Sequence, residues 1–569
     1  MEWTRRILRN WPVQAPLMAA MLLAAGAAHA QENNGQKPAP QAPAAAPAET
    51  PAAADQVDQG PQPPDGKWLT DTEGRQYFLE KFDKGMRHRR LDDKMVRTPW
   101  GISIEVEKED EKYFYYKVYR LDPNARADFG LRPKPTAEEE KQVAGSYEVK
   151  VPESRRLTFV PFGKGLPTSG QWRNGFDIAD MNGDKLPDIL HGPARKSLGP
   201  PVVFLNDGKG NWRRWQEAKF PRLPFDYGDA AAADFNGDGH MDIALGMHLR
   251  GLVAMVGDGK GNFTDWSKGL DLQIPGRDGN DASGFSSRTI DTFDWNGDGR
   301  PDIVALGEGP RLNATGRGSA KPAGAESYGI VIYLNQGEGS WTRKDQGTSA
   351  RELFGEDIVL ADFNGDRRMD IATGSSIMGR RTVLNFGRED GAWSVTDVEQ
   401  VRPQSYIRAV TAADFNGDGA DDLAVGYLSF ELASWRSGID ILYGRADGSW
   451  TRRVLAVEEG RSEFSALDSG DLDGDGKLDL VALTGKGQTW VFAGDGKGFF
   501  TREAATGIPA YEGECRGYHL ELADLDKDGK DEIVAGFAGE GSPMLAPNFC
   551  PSGGGLQAWR AASPGAAGK

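Results

Sequence analysis

Cysteine and histidine are scarce in this chain, and long apolar runs are missing. Of 569 residues only two are cysteine, Cys515 and Cys550, and six are histidine. The histidines His191, His240, His248 and His519 are scattered and form no set, and neither Gly-x-Ser-x-Gly nor His-Glu-x-x-His occurs. The marks of a hydrolase or a zinc protease are therefore absent, and no catalytic residue is assigned. A surplus of positive charge is lacking too: 67 Lys and Arg stand against 84 Asp and Glu, a net charge of −17. That excludes a phosphate-binding surface, and with it nucleic acid as partner. The main apolar stretch, Ala15 to Ala28, is too short to span a bilayer.

Glycine and aspartate are what the chain has instead. Its 74 Gly, with 38% hydrophobic residues, suit a fold of many short strands and tight turns, because Gly reaches the positive φ that turns need. Arg5, Arg6 and Arg9 precede the apolar stretch, and Ala28-His29-Ala30 follows it. Residues 1–30 thus read as a secretory signal, which places the mature protein in the periplasm, at the cell surface or outside. Residues 31–66 are rich in Pro, Ala and Gln and read as a disordered linker. Residues 67–154 read as a small β-rich domain. Ile102, Ile104 and Val106 alternate with polar residues and Tyr113 to Leu121 is rich in Tyr and Val, so a hairpin is expected there. A second is expected from Trp68 to Phe82 around Glu73-Gly74.

From about residue 155 to 561 the chain repeats itself, and the last eight residues read as a tail. One nine-residue motif returns seven times, with starts 52 to 68 residues apart. Positions 1, 3, 5 and 9 are Asp180, Asn182, Asp184 and Asp188 in loop one, then Asp234, Asn236, Asp238 and Asp242 in loop two. Loop three has Asp294, Asn296, Asp298 and Asp302, and loop four Asp362, Asn364, Asp366 and Asp370. Loop five has Asp414, Asn416, Asp418 and Asp422, loop six Asp471, Asp473, Asp475 and Asp479, and loop seven Asp524, Asp526, Asp528 and Glu532. Each leads into an apolar strand. In the first six repeats a Gly-rich turn and an aromatic follow, as in Asn206-Asp-Gly-Lys-Gly-Asn-Trp212. A repeat thus reads strand, acidic loop, strand, connection, strand, Gly turn, strand. The seventh lacks its last turn and strand, while Leu157 to Phe162 stands ahead of the first loop without a blade of its own. That segment is expected to complete the last blade and remove an exposed edge. The fold predicted is an all-β, seven-bladed propeller closed by an N-terminal strand.

The loops gather hard oxygen ligands on tight turns, which selects Ca²⁺. No His or Cys stands at these positions, so zinc and copper do not fit. Two carboxylates ~5 Å apart repel by about 3 kcal/mol at an effective dielectric of ~20, which a cation relieves. The loops are not EF-hands: position 12 of loop seven is Ala535, not Glu. Loops one and four are expected to bind less well, because Lys185 and Arg367 stand at position 6, where a Gly would permit the turn. Two cysteines in an oxidising compartment are expected to pair, Cys515 with Cys550.

The seven loops, their strand context and the Gly-rich turns resemble the FG-GAP/VCBS repeat family, whose propellers look like the head of integrin α subunits. The resemblance implies cation loops and a role in adhesion, ligand recognition or assembly. It differs from integrins in carrying the loop in all seven repeats. The reading is an exported calcium-binding propeller, monomeric, without enzymatic activity, that binds a protein or glycan ligand. The alternative is a carbohydrate-binding lectin or a polysaccharide-acting enzyme on the same scaffold. Two connections stand out by length, Gly307 to Tyr328 and Gly426 to Gly438. The second holds Tyr427, Phe430, Trp435 and Arg436, read either as a ligand patch or as ordinary loop packing, with packing favoured.

Overall fold

The computed structural model describes the strands between residues 66 and 133 and most of residues 151–562. Within that last span, residues 174, 195–198, 249, 273–284, 308–328, 346–356, 375–382, 388–392, 398–404, 432–433, 446–449, 460–462, 512–514, 540–549 and 551 lie outside it. So do the expected signal, linker and tail, and most of the connection from Gly307 to Tyr328.

The fold is all-β, with no helix among the described residues. The N-terminal strands form one six-stranded sheet running from Gly66–Thr70 at one edge to Met95–Arg97 at the other. Both expected hairpins are in it. Gly66–Thr70 pairs antiparallel with Gln76–Lys81, setting Trp68 opposite Phe78. Ile102–Glu109 pairs with Tyr113–Arg120, setting Ile104 opposite Val118.

Seven small sheets follow, in the order of the sequence repeats. In the first, Phe176–Ala179, Asp188–His191, Val202–Asn206 and Trp212–Arg214 lie side by side as an antiparallel meander. The acidic loop joins the first two strands and the Gly-rich turn the last two. The second strands are buried along their whole length in the first three sheets, as in Asp242–Met247 and Asp302–Gly307. That is the mark of a strand covered on both faces.

The covering comes from neighbouring sheets. Ile243, Leu245 and Met255 of the second sheet share one core with Leu190, Val203 and Leu205 of the first. Val304 and Ile332 of the third share another with Ile358 and Ile371 of the fourth. Leu525, Val534 and Leu556 of the seventh pack on Phe176, Ile189 and Phe204 of the first. The first strand of each sheet touches that of the next, and Arg516–Ala523 of the seventh returns to Phe176–Ala179 of the first. The sheets therefore close on themselves, as in propellers.

The closing strand comes from the other end of the repeat array. Phe159–Pro161 pairs antiparallel with Gly554–Ala561, with Phe159 opposite Ala561. Beside it, Cys515 and Cys550 form a disulfide, both buried, at the near ends of the first and third strands of this sheet. One element went unpredicted. Glu153–Ser154 joins the sixth sheet as a fifth strand, parallel to Phe500–Glu503.

The segment Gly426 to Gly438 is not a loop. Strands Asp422–Glu431 and Ser434–Gly444 run through it, with Tyr427 opposite Gly438 and Phe430 opposite Trp435. Tyr427 and Trp435 are buried, so neither presents a surface patch. Aromatic residues suit a pleated, half-buried surface, and cross-strand pairing makes two long strands of what its length suggested was a connection.

Candidate metal centres

Each loop is wound around the carboxylate at its first position. Asp234 Oδ1 accepts the amides of Gly237 and Asp238 at 2.7 and 3.0 Å, and its Oδ2 accepts Gly239 at 2.8 Å. Asp414 and Asp471 hold the matching three amides in the same way. This winding needs a left-handed backbone at positions 4 and 6. Gly237 and Gly239 supply it with φ of 74° and 85°. Lys185 and Arg367 adopt it at φ of 75° and 66° without being Gly, at a cost of order 1 kcal/mol each. Loop seven carries the same burden at position 4, at Lys527 with φ 63°.

The acid at position 9 ties the loop to the sheet. Asp188, Asp242, Asp302, Asp370 and Asp422 are fully buried, and Asp479 and Glu532 nearly so. Asp242 Oδ2 accepts the amide of Phe235 at 2.8 Å, and Oδ1 that of Gly257 at 2.8 Å, at the end of the third strand. Asp302 does the same with Trp295 and Asn335, and Asp479 with Leu472 and Gly494. Phe235, the second loop residue, is buried, and so roots the loop in the core.

Burial disfavours the charge on these acids. It pushes Asp302 up to about 6, Asp242 and Asp479 to about 7, and Asp188, Asp422 and Glu532 to about 8. Backbone amides oppose the shift, and the other loop carboxylates add to it.

Oxygens at positions 1, 3 and 9 come together. Those of Asp471, Asp473 and Asp479 lie within 4.8 Å of one another, as do those of Asp524, Asp526 and Glu532. Asp180 Oδ1 and Asp524 Oδ1 are buried and accept no hydrogen bond. A desolvated carboxylate oxygen without a donor fits a cation ligand. Position 5 turns elsewhere in several loops. Asp298 Oδ2 meets Arg300 at 2.5 Å, Asp366 Oδ2 meets Arg368 at 2.7 Å, and Asp475 Oδ2 meets Lys477 at 2.5 Å. Asn182 and Asn236 donate their amides to Asp184 and Asp238. In loop seven Arg560 reaches Asp526 at 3.2 Å. The donor set thus fits a hard cation best at positions 1, 3 and 9.

The sequence profile of the FG-GAP-like repeat matches residues 194–245, across loop two, and 471–535, across loops six and seven. These are FG-GAP-like repeats. Stretches of the chain are similar to two curated proteins. Mouse cartilage acidic protein 1 is 27% identical over 174 residues, 27% of this chain and 25% of that protein. Human integrin alpha-8 is 26% identical over 195 residues, 30% of this chain and 18% of that protein. The chain thus spans a quarter or less of the length of either relative. A crystal structure of BBS1N in complex with ARL6DN, soaked with lead, aligns with 71% of this chain and 97% of its own, at 10% identity and a TM-score of 0.40.

The FG-GAP-like repeats also depend on residues that the motif did not flag. The Gly-rich turns are closed by side chains: Asn211 Nδ2 donates to Asp207 and Asn262 Nδ2 to Asp258, each at 2.7 Å. With two backbone amides, this holds Asp258 down at about 2. The Asp-x-x-x-Asn spacing was visible in the sequence. Among the described residues, no helix is long and apolar enough to cross a membrane.

Proposed function

We propose that this chain is an exported binding or adhesion module: a seven-bladed propeller, residues 155–561, pinned by calcium and devoid of catalysis. Residues 67–154 form an accessory β domain ahead of it. The ligands are the acids and amides at positions 1, 3, 5 and 9 of the seven loops, from Asp180 to Glu532, with loops one and four the weaker. The partner is a protein or glycan met outside the cytoplasm.

The observation that carries this reading is the recurrence of one buried acid, position 9, under every loop. Each sits beside further oxygens on a turn, and burial makes its charge costly. A divalent cation offsets that cost in all seven places at once. Likeness to integrin alpha-8 over part of the chain supports a binding role. The disulfide supports an oxidising compartment.

The test is capture from cell envelope and medium with the mature protein as bait, in calcium and in chelator. A partner retained only in calcium supports the proposal. Turnover of a polysaccharide by the pure protein would replace it with the enzymatic alternative.

A further inference from the structure

We propose that Asp421 and Asp531 couple neighbouring cation loops, so that loops four and five, and loops six and seven, fill cooperatively. The proposal rests on the cation reading of the loops given above.

Position 8 is apolar in five of the seven loops: Pro187, Met241, Pro301, Met369 and Leu478. In loops five and seven it is Asp421 and Asp531. Both carboxylates leave their own loop and reach the one before it. Asp421 Oδ2 accepts the amide of Asp362 at 3.0 Å, and Asp531 Oδ2 accepts that of Asp471 at 2.8 Å. A second bond runs back each time. The amide of Asp421 donates to the Asp362 carbonyl at 3.1 Å, and that of Asp531 to the Asp471 carbonyl at 2.8 Å. The fit at the second pair is close: a Cβ on Gly470 would lie 2.5 Å from Asp531 Oδ2.

The placement gives the link its meaning. Asp362 and Asp471 hold position 1, the carboxylate around which each loop winds. Asp421 and Asp531 precede Asp422 and Glu532, the position-9 acids of their own loops. One residue therefore joins the first ligand of one loop to the last ligand of the next. Other inter-loop bonds differ. Asn206 donates to the carbonyls of Leu525 and Pro187, and Asn335 to those of Phe235 and Pro301. These side-chain bonds tie loop bases at positions 2 and 8; the amides of the same two residues donate to Asp188 and Asp302, so this link reaches a position-9 acid but no position-1 residue.

An ion that orders loop seven fixes Asp531, and with it the backbone of Asp471. Less freedom then remains to be lost when loop six binds. The favour is reciprocal, as any coupling between binding sites must be.

The test is hydrogen exchange, read by mass spectrometry on the full mature chain as calcium is added. The reporter is the segment 471–479. Removing ligands from loop seven, with Asp526→Ala and Asp528→Ala, leaves Asp531 in place. We expect the calcium midpoint that protects 471–479 to rise about 5- to 10-fold, the lower part of the range for coupled sites. The midpoint for 234–242, in loop two, stays where it was. Asp531→Leu installs the side chain that loop six carries at this position. It raises the 471–479 midpoint by a similar factor, and loop-seven ligand removal then adds nothing. Asp531→Asn keeps an acceptor oxygen and stays near the unmodified protein.

Unchanged 471–479 midpoints in both the ligand-removal and the Asp531→Leu chains overturn the coupling while leaving calcium binding intact. Absence of calcium-dependent protection in every loop of the unmodified protein overturns the cation reading, and the coupling with it. If Asp531→Leu does not fold, the ligand-removal chain decides, since it leaves the link untouched.

Discussion

Glu503 accepts a hydrogen bond from the Ser154 hydroxyl at 2.7 Å, across 349 positions of chain. The same buried carboxylate accepts the amides of Arg156 and Leu157 at 2.8 and 3.2 Å. It thus moors the segment that leads to the closing strand. Glu503→Ala leaves the buried Leu157 amide without a partner and should cost about 2–4 kcal/mol. A thermal melt reads the loss, and limited proteolysis should find new cleavage near residue 155. Unaltered cleavage and melting would show that the strand pairing alone holds the segment.

Calcium removal should lower the melting temperature steeply. Ligands that bind only the folded state stabilise it by mass action, about 2.7 kcal/mol per site at a hundred times the dissociation constant. Differential scanning calorimetry in calcium and in chelator measures this. Equal melting temperatures would contradict the cation reading.

The chelated protein should be most stable at mildly acidic pH. Burial pushes Asp229 and Asp357, outside the loops, up to about 7, and Asp188, Asp242, Asp302, Asp422, Asp479 and Glu532 at position 9 to between about 6 and 8. A carboxyl whose folded pKa lies above its unfolded 3.8 holds its proton more firmly when folded. Its contribution is whole below pH ~4 and is lost as pH rises through the folded value. Melting temperature in chelator should therefore fall between pH 6 and 8. Calcium should reverse the trend, because it takes the deprotonated carboxylate. A chelated protein most stable at pH 8 would refute the assignment.

Lys185→Gly and Arg367→Gly should tighten cation binding in loops one and four. Each relieves a left-handed backbone at a non-glycine residue, against a smaller entropic loss from the added Gly. The net gain should be no more than about 1 kcal/mol. Local exchange protection of 180–188 and 362–370 at limiting calcium reports it. Lower protection in both variants would show that the lysine and arginine side chains make contacts worth more than the strain.

Reduction of Cys515–Cys550, or replacement of both by Ser, should cost roughly 3–4 kcal/mol by the loop-closure argument. The seventh sheet should lose exchange protection before the others. Uniform loss over all sheets would place the bond's effect on the whole ring.

The sequence revealed most where residues repeat. Seven loops in one register announced the strand order, and the unfinished last repeat announced that Leu157 to Phe162 would complete it. Contacts made far along the chain were hidden. Asp421 and Asp531 look like ordinary surface acids until the preceding loop lies beside them, and Glu503 shows its purpose only when Ser154 folds back. The stretch from Gly426 to Gly438 misled for a related reason. Its length suggested a connection, whereas partners in Ser405–Ala413 and Trp450–Glu459 keep both strands extended. At position 5 the spacing did not announce the ion pairs that Arg300, Arg368 and Lys477, two residues on, make with Asp298, Asp366 and Asp475.

Phe159–Pro161 must wait for Gly554–Ala561. While the nascent chain is being synthesised, this early strand has no neighbour to greet, and the seventh sheet keeps a bare margin. Folding can thus be sealed only once the chain has been made as far as Gly554–Ala561. Trimming a dozen residues from either side of the array should leave an open strip with two sticky rims, prone to polymerise.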